Sequence, residues 1–273
     1  MRTFAGRSVV VTGAAGGLGQ ALVAAFLQAG AQVLALDRNA AALEALPRPA
    51  PTRGAGSDAP ALVTAVCDIT QPRDCDEAIA QAVALWGGVD VLINNAGISH
   101  RSLFAGTDPA VIRRVMEVNF FGAVHMTHAA LPHIVARHGV VAAVSSVAGF
   151  APLMGRTGYC ASKHALHGFF DTLRTEVQDL GVQVTLISPS FIATGIGAAA
   201  LGGSGSSATS PRITTGGESA PEDIARQILN ALARGQTQLL PDRTSRLAWW
   251  VSKLAPRFYA RTMQRRVRAE FES

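Results

Sequence analysis

The chain has 273 residues, 48% of them hydrophobic and 16% charged, with a formal net charge of +5. That length and apolar content suit one large α/β domain with a well-filled core, and no apolar run approaches the roughly 18 residues of a membrane-spanning helix. Three scattered cysteines, Cys67, Cys75 and Cys160, exclude a disulfide framework and metal-ligand spacing, and they read as reduced thiols in a cytoplasmic protein.

The first residues run directly into a strand, so no signal peptide is expected. Residues 8–12, Ser-Val-Val-Val-Thr, are a β-branched run that predicts a buried strand. It ends in Thr12-Gly13-Ala14-Ala15-Gly16-Gly17-Leu18-Gly19, and residues 20–29 then read as a helix closed by Gly30. Strand, glycine loop and helix make a site for a dinucleotide pyrophosphate, because the backbone approaches closely and helix-terminal amides face the anion. An ordinary tight turn is the alternative. Residues 32–36 form the second strand, and Asp37 ends it, 18 residues past Gly19. An acid there can accept hydrogen bonds from an adenosine ribose and repel a 2′-phosphate, which favours NAD(H). Arg38 follows and can attract that phosphate, so NADP(H) stays open. Asp37 could instead cap a helix at 39–46.

Residues 47–60 hold four prolines and two glycines and read as a long surface loop. The third strand, 62–67, leads to Asp68 and Ile69, where side chains can reach an adenine or simply end a strand. A helix at 72–86 and a strand at 89–93 precede Asn94-Asn95-Ala96-Gly97, small and amide residues that suit packing against a cofactor or a plain turn. This alternation predicts a right-handed, doubly wound parallel sheet. A long helix starts at Asp108-Pro109 and carries Asn119 within an apolar run. A buried amide is costly unless bonded, so Asn119 either holds a water in a proton path or satisfies a core partner.

The fifth strand, 140–144, delivers Ser145 and Ser146, and Ser146 stands 13 residues before Tyr159. Its hydroxyl can hold a reacting oxygen or merely cap a turn. Tyr159-Cys160-Ala161-Ser162-Lys163 opens an apolar helix extending over 165–180. Residues four apart share a helix face. Phenols ionise near pH 10 in water, about three units too high for a neutral-pH base. An adjacent ammonium favours the phenolate, and the pair can then exchange a proton with an alcohol or carbonyl oxygen. Such spacing also arises by chance in many helices.

Taken in order, Thr12-Gly13-x-x-x-Gly17-x-Gly19, Asp68, Asn94-Asn95-Ala96-Gly97, Asn119, Ser146 and Tyr159-x-x-x-Lys163 resemble the short-chain dehydrogenase/reductase family over residues 6–241. The resemblance implies a Rossmann-type α/β fold with seven parallel strands in the order 3-2-1-4-5-6-7. It implies Tyr159 as general acid/base, Lys163 lowering its pKa and bonding the nicotinamide ribose, Ser146 orienting the substrate oxygen and Asn119 anchoring a proton-relay water. Cofactor contacts are implied for Gly13, Gly17, Leu18, Gly19, Asp37, Arg38, Asp68, Ile69, Asn95, Ala96, Gly97, Tyr159 and Lys163, and for Pro189, Ile192 and Thr194 beyond a sixth strand at 182–187. Pro189-Ser190 stands where the family usually has Pro-Gly. Serine disfavours positive φ, so a different loop path is expected there. The family also implies a lid near 190–219, whose Gly/Ser-rich composition predicts mobility, and a homo-oligomer through the helices bearing Asn119 and Tyr159.

A helix at 220–234 and a strand at 237–240 complete the catalytic unit, 1–241. The extension, 242–273, carries eight Lys/Arg against three Asp/Glu, which is the whole excess of +5. Leu247, Trp250, Val251, Leu254 and Phe258 follow helical spacing, Pro256 starts a second helix, and Arg257, Arg261, Arg265 and Arg268 form a separate stripe. Such an extension can cover the pocket, pack on another subunit or lie on an anionic membrane; no module for reading nucleic acid accompanies it. Ile98, Leu103, Phe104, Phe150, Leu153 and Met154 are expected near the pocket walls, with Arg156 able to reach in. The expected function is hydride transfer between NAD(H) and a fairly apolar secondary alcohol or ketone, with no metal. The alternative is a non-catalytic dinucleotide sensor or interaction protein.

Overall fold

β1 (Ser8–Thr12) lies at the centre of a parallel sheet ordered β3-β2-β1-β4-β5-β6-β7. The computed structural model describes residues 1–47, 60–209, 213–214 and 217–271; the 47–60 loop, apart from its ends, lies outside them. The other strands are β2 (Gln32–Asp37), β3 (Leu62–Val66), β4 (Val91–Asn94), β5 (Val140–Val144), β6 (Gln183–Ile187) and β7 (Gln238–Leu239). Alternate β1 residues enter opposite cores. Val9 and Val11 pack with α1 (Gly17–Gln28) and α7 (Pro221–Ala233), whereas Val10 packs with α3 (Pro72–Trp86), α5 (Gly122–Ala136) and α6 (Thr157–Val177). Burial on both faces explains why the central strands read as unbroken apolar runs rather than alternating ones.

The strand order reverses between β1 and β4, and every candidate loop leaves the carboxyl end of a strand at this crevice. Asp90 fastens its opposite end. Its carboxylate accepts from Arg7 and Arg137, each at 2.8 Å, and from the Ser8 amide at 3.0 Å. Burial opposes ionisation of Asp90, but the Ser8 and arginine hydrogen bonds hold its pKa below the ordinary carboxylate value.

Several boundaries differ from the sequence expectation, three of them beside the cavity. α1 begins at Gly17, inside the glycine motif. The long helix beyond Asp108 is divided into α4 (Pro109–Met116), a π-turn at Glu117–Phe121 and α5. α6 starts before Tyr159, so Tyr159 and Lys163 occupy consecutive turns of an established helix. Beside β2, the short α2 (Ala40–Glu44) is capped by the Asn39 side chain, not by Asp37.

Two desolvated imidazoles, His100 buried and His167 half-buried, are expected to make stability pH-dependent. Burial lowers both His100 and His167 to about 4, and neither ring nitrogen of His100 has a partner among the described residues. The unfolded chain therefore binds more protons between pH 6.5 and 4. Stability is present above about 6.5 and falls as pH drops through this window, by about 2 kcal/mol per imidazole on reaching pH 5. Urea unfolding at pH 7.5 and pH 5 checks this: the loss is expected to shrink in His100→Leu, and an unchanged loss in that variant would exclude His100 as a contributor.

Candidate active site

One cavity of about 690 Å³ runs from the glycine loop, past Ser146, Tyr159 and Lys163, to the carboxyl-terminal extension. At one end are Gly13, Gly17, Leu18, Gly19 and Asp37. Gly13 has φ +64°, and a Cβ there would stand 2.7 Å from the Ala96 backbone. The two loops consequently touch through main chain. Thr12 Oγ1 accepts from the Asn95 and Ala96 amides at 3.0 and 3.1 Å, while Asn95 Nδ2 donates to the Thr12 and Gly13 carbonyls. Asn95 thus builds the crevice by joining the β1 and β4 loops. A Cβ on Gly19 would collide with the Gly13 carbonyl, so the helix start packs directly against its own loop. No side chain among the described residues caps α1, which leaves its first amides directed toward the cavity. Asp37 accepts from the Ala15 amide at 3.1 Å and the Asn39 amide at 3.0 Å.

In the middle of the cavity Lys163 is wholly enclosed, and Nζ donates to the Val144 carbonyl at 2.8 Å. Desolvation lowers its pKa to about 8, so it remains a cation at neutral pH. Nζ lies 5.7 Å from the centre of the Tyr159 ring. Ser146 extends from β5 and accepts the Ala148 amide at 3.2 Å, capping the turn while lining the cavity. Ser145 also belongs to the cavity wall, but its hydroxyl is engaged in donating to the Lys163 carbonyl at 3.2 Å.

Asn119 sits behind this wall. Its Oδ1 accepts the Ile98 amide at 2.8 Å, and Nδ2 donates to the Ile98 carbonyl and to Ser162 Oγ, both at 2.9 Å. It bridges the β4 loop to α6, and a π-turn at that point is a frequent feature of functional helices. Asn119, Arg38, Asp68 and Ile69 are not among the cavity walls. Arg38 is exposed. Asp68 accepts from Thr70 through both amide and hydroxyl, and Ile69 packs against Gly122.

Pro189, Ile192 and Thr194 do reach the cavity. Ser190 avoids positive φ; among the described residues only His138 adopts it without being glycine. Instead the Ser190 amide and hydroxyl donate to Asp242 at 3.0 and 2.8 Å, and Asp242 also caps the next helix through Ser245. The departure from Pro-Gly therefore ties the loop after β6 to the extension. The segment after Thr194 pairs through its backbone with the loop after β4: Arg101 and Asp108 amides donate to Leu201 and Gly203 carbonyls at 2.7 and 2.9 Å.

The far chamber is mainly apolar, although Arg101, Arg156 and Arg266 also belong to the cavity wall. Ile98 and Leu153 line it as expected, together with Ala151, Phe191 and Ile196. Leu103, Phe104, Phe150 and Met154 do not; Phe150 stacks edge-on against Trp249 at 4.9 Å. The remaining wall comes from α8 (Arg243–Leu254) and α9 (Pro256–Val267), through Leu247, Val251, Phe258, Tyr259 and Met263. Sequence periodicity marked an apolar face on α8 but not its destination, and it missed Tyr259 and Met263. Arg156 also lines the cavity and pairs with Glu270 at 2.7 Å in a buried ion pair.

A parallel sheet of this order, carrying a glycine loop at β1 and a Tyr-x-x-x-Lys helix beside β5, defines a nicotinamide-dependent oxidoreductase. The family model described as short chain dehydrogenase matches residues 7–201, and the chain belongs to the short-chain dehydrogenase/reductase family of NAD(P)-dependent oxidoreductases. It is 40% identical to dehydrogenase/reductase SDR family member 7B of Bos taurus, over 100% of this chain and 85% of the relative. It is 36% identical to an SDR family protein 7-like of Anopheles gambiae, over 97% and 84%. A short-chain dehydrogenase from Streptomyces avermitilis superposes with TM-score 0.79 at 27% identity, covering 98% of each chain. The fold is also shared with a Burkholderia phymatum member in complex with NAD, TM-score 0.77 at 23% identity, covering 93% and 96%. A Burkholderia cenocepacia enzyme in complex with NADP gives TM-score 0.79 at 24% identity, covering 96% and 99%.

Proposed function

We propose that this chain uses NAD(H) to interconvert a fairly apolar secondary alcohol and its ketone, of steroid-, retinoid- or lipid-like character. The observation that carries the reading is the continuity of the cavity: glycine loop and Asp37 at one end, Ser146, Tyr159 and Lys163 in the middle, apolar walls at the other. These residues fit a dinucleotide. Gly17 on the cavity wall and the uncapped start of α1 suit its pyrophosphate, and Asp37 suits an unphosphorylated ribose. When bound, the nicotinamide supplies or accepts the hydride.

The chain's own residues handle the proton. In alcohol oxidation the Tyr159 phenolate takes the hydroxyl proton; in ketone reduction the Tyr159 hydroxyl returns it. The buried Lys163 cation favours the phenolate, since no acidic side chain hydrogen-bonds Nζ among the described residues. The Ser146 hydroxyl donates to the reacting oxygen and orients it. Asn119 positions Ile98 and, through Ser162, the turn that carries Lys163. The apolar chamber excludes water from the reacting carbon.

Asp37 lines the cavity while Arg38 does not, and this favours NAD(H) over NADP(H). Fluorescence titration is expected to give tighter binding of NADH than NADPH. In Asp37→Ala, NADH should bind about tenfold more weakly, the loss expected for one charge-assisted hydrogen bond, with NADPH not weakened. Preference of the unaltered chain for NADPH would transfer the role to Arg38.

A further inference from the structure

α8 and α9 turn an apolar ridge outward. Leu247, Trp250, Leu254 and Phe258 are 65%, 62%, 78% and 65% exposed. Leu247, Trp250 and Leu254 are three and four residues apart, so they share one face of α8. The opposite face, through Ala248 and Trp249, packs on Ala151 and Phe150 and fixes the helix against the body. Four large exposed apolar side chains on one helical hairpin are more than the scattered surface leucines of an ordinary soluble protein.

The charge around this ridge has one sign. Between Asp242 and Glu270 there are eight Lys/Arg and no Asp/Glu. Arg243, Arg246 and Lys253 are exposed beside the α8 row. On α9, Phe258 shares a face with Arg261 and Arg265 at spacings of three and four, and Arg257 and Arg261 flank Phe258 in a shallow cleft at the α8–α9 turn. No helix among the described residues is long and apolar enough to cross a membrane. An apolar stripe bordered by arginines instead suits a helix lying in the interface of an anionic bilayer.

The ridge also borders the cavity. Leu247, Phe258, Arg266 and Ile196 are exposed and line it, so they frame its mouth. We infer that the α8–α9 hairpin docks on an anionic lipid surface and brings the apolar mouth of the active-site cavity against the bilayer. Trp250, Leu254 and Phe258 enter the headgroup–acyl boundary, and the surrounding arginines meet lipid phosphates. An apolar substrate then passes between bilayer and cavity without crossing water. Docking of the hairpin stands apart from the cofactor assignment; only the route of the substrate rests on the proposed chemistry.

Co-sedimentation of the full chain tests this, with vesicles of phosphatidylcholine alone or mixed with phosphatidylserine. The chain is expected to pellet with the mixed vesicles and to be released progressively by salt. Trp250 and Leu254 lie outside the cavity walls. A Trp250→Glu/Leu254→Glu variant should lose about tenfold or more in vesicle partition while NADH titration shows an intact cofactor site. Arg257→Gln/Arg261→Gln should reduce the preference for phosphatidylserine. The inference is overturned if the unaltered chain stays in the supernatant or if the Trp250/Leu254 variant pellets undiminished. It is equally overturned if sedimentation velocity shows that this variant converts a dimer to a monomer, because the ridge is then an interface between two copies.

Discussion

Replacing Tyr159 with phenylalanine is expected to lower turnover by about a thousandfold or more, within the range attributed to a positioned acid/base group, while NADH binding is retained. The substitution removes one oxygen. The ring remains available beside Lys163, whose Nζ is 5.7 Å from its centre and is independently held by the Val144 carbonyl. The Lys163 ammonium still faces the cavity, but no ionisable oxygen remains to exchange a proton with the substrate. Stopped-flow hydride transfer and NADH titration on the same preparation separate the two effects. Undiminished turnover in Tyr159→Phe would sink the proposed mechanism, whereas loss of NADH binding would show that the ring mainly builds the cofactor site.

The second large effect lies 114 residues apart in sequence, at Arg156 and Glu270. Both side chains are buried, their ion pair measures 2.7 Å, and the other Glu270 oxygen accepts the Ile213 amide at 2.6 Å. Three segments meet on one carboxylate: the entry to α6, the stretch at Ile213 and the end of the extension. Burial lowers the Arg156 pKa and Glu270 opposes that shift, so the pair is held together against the cost of desolvation. Glu270→Ala leaves the guanidinium buried without its partner and an amide without its acceptor. The expected loss is about 3–5 kcal/mol of unfolding free energy, read from urea denaturation. Arg156→Met/Glu270→Leu, which removes both charges, is expected to recover most of it. A loss below about 1 kcal/mol in Glu270→Ala would place the pair among the weak, solvent-screened bridges. Phe271 lies on Gly155, where a Cβ would collide with the ring, so release of Glu270 also frees the last turn from the cavity wall.

The amino-acid sequence by itself determined the parts whose physics is local. Doubly buried strands announce themselves as β-branched runs, and β5 at Val140–Val144 and α3 at Pro72–Trp86 fall where the sequence reading placed them. The glycine loop is legible because only glycine permits the contacts at Gly13 and Gly19. Tyr159 and Lys163 share a face because helical geometry fixes residues four apart.

Only the tertiary structure decided the rest. A π-turn at Asn119 leaves no trace in apolar periodicity, since one extra residue per turn shifts the pattern too little to read over so short a span. Asp68 accepts from the Thr70 amide and hydroxyl, a contact that depends on how the loop after β3 closes. Ser190 looked like a loop that had lost its glycine, and its function as the anchor of Asp242 lies 52 residues downstream. The apolar row of the extension was visible, yet its division into a cavity wall and an exposed ridge depends on where α8 and α9 dock. Local propensity fixes the elements; contacts between residues distant in the chain arise only after those elements pack, so they settled which side chains enclose the cavity.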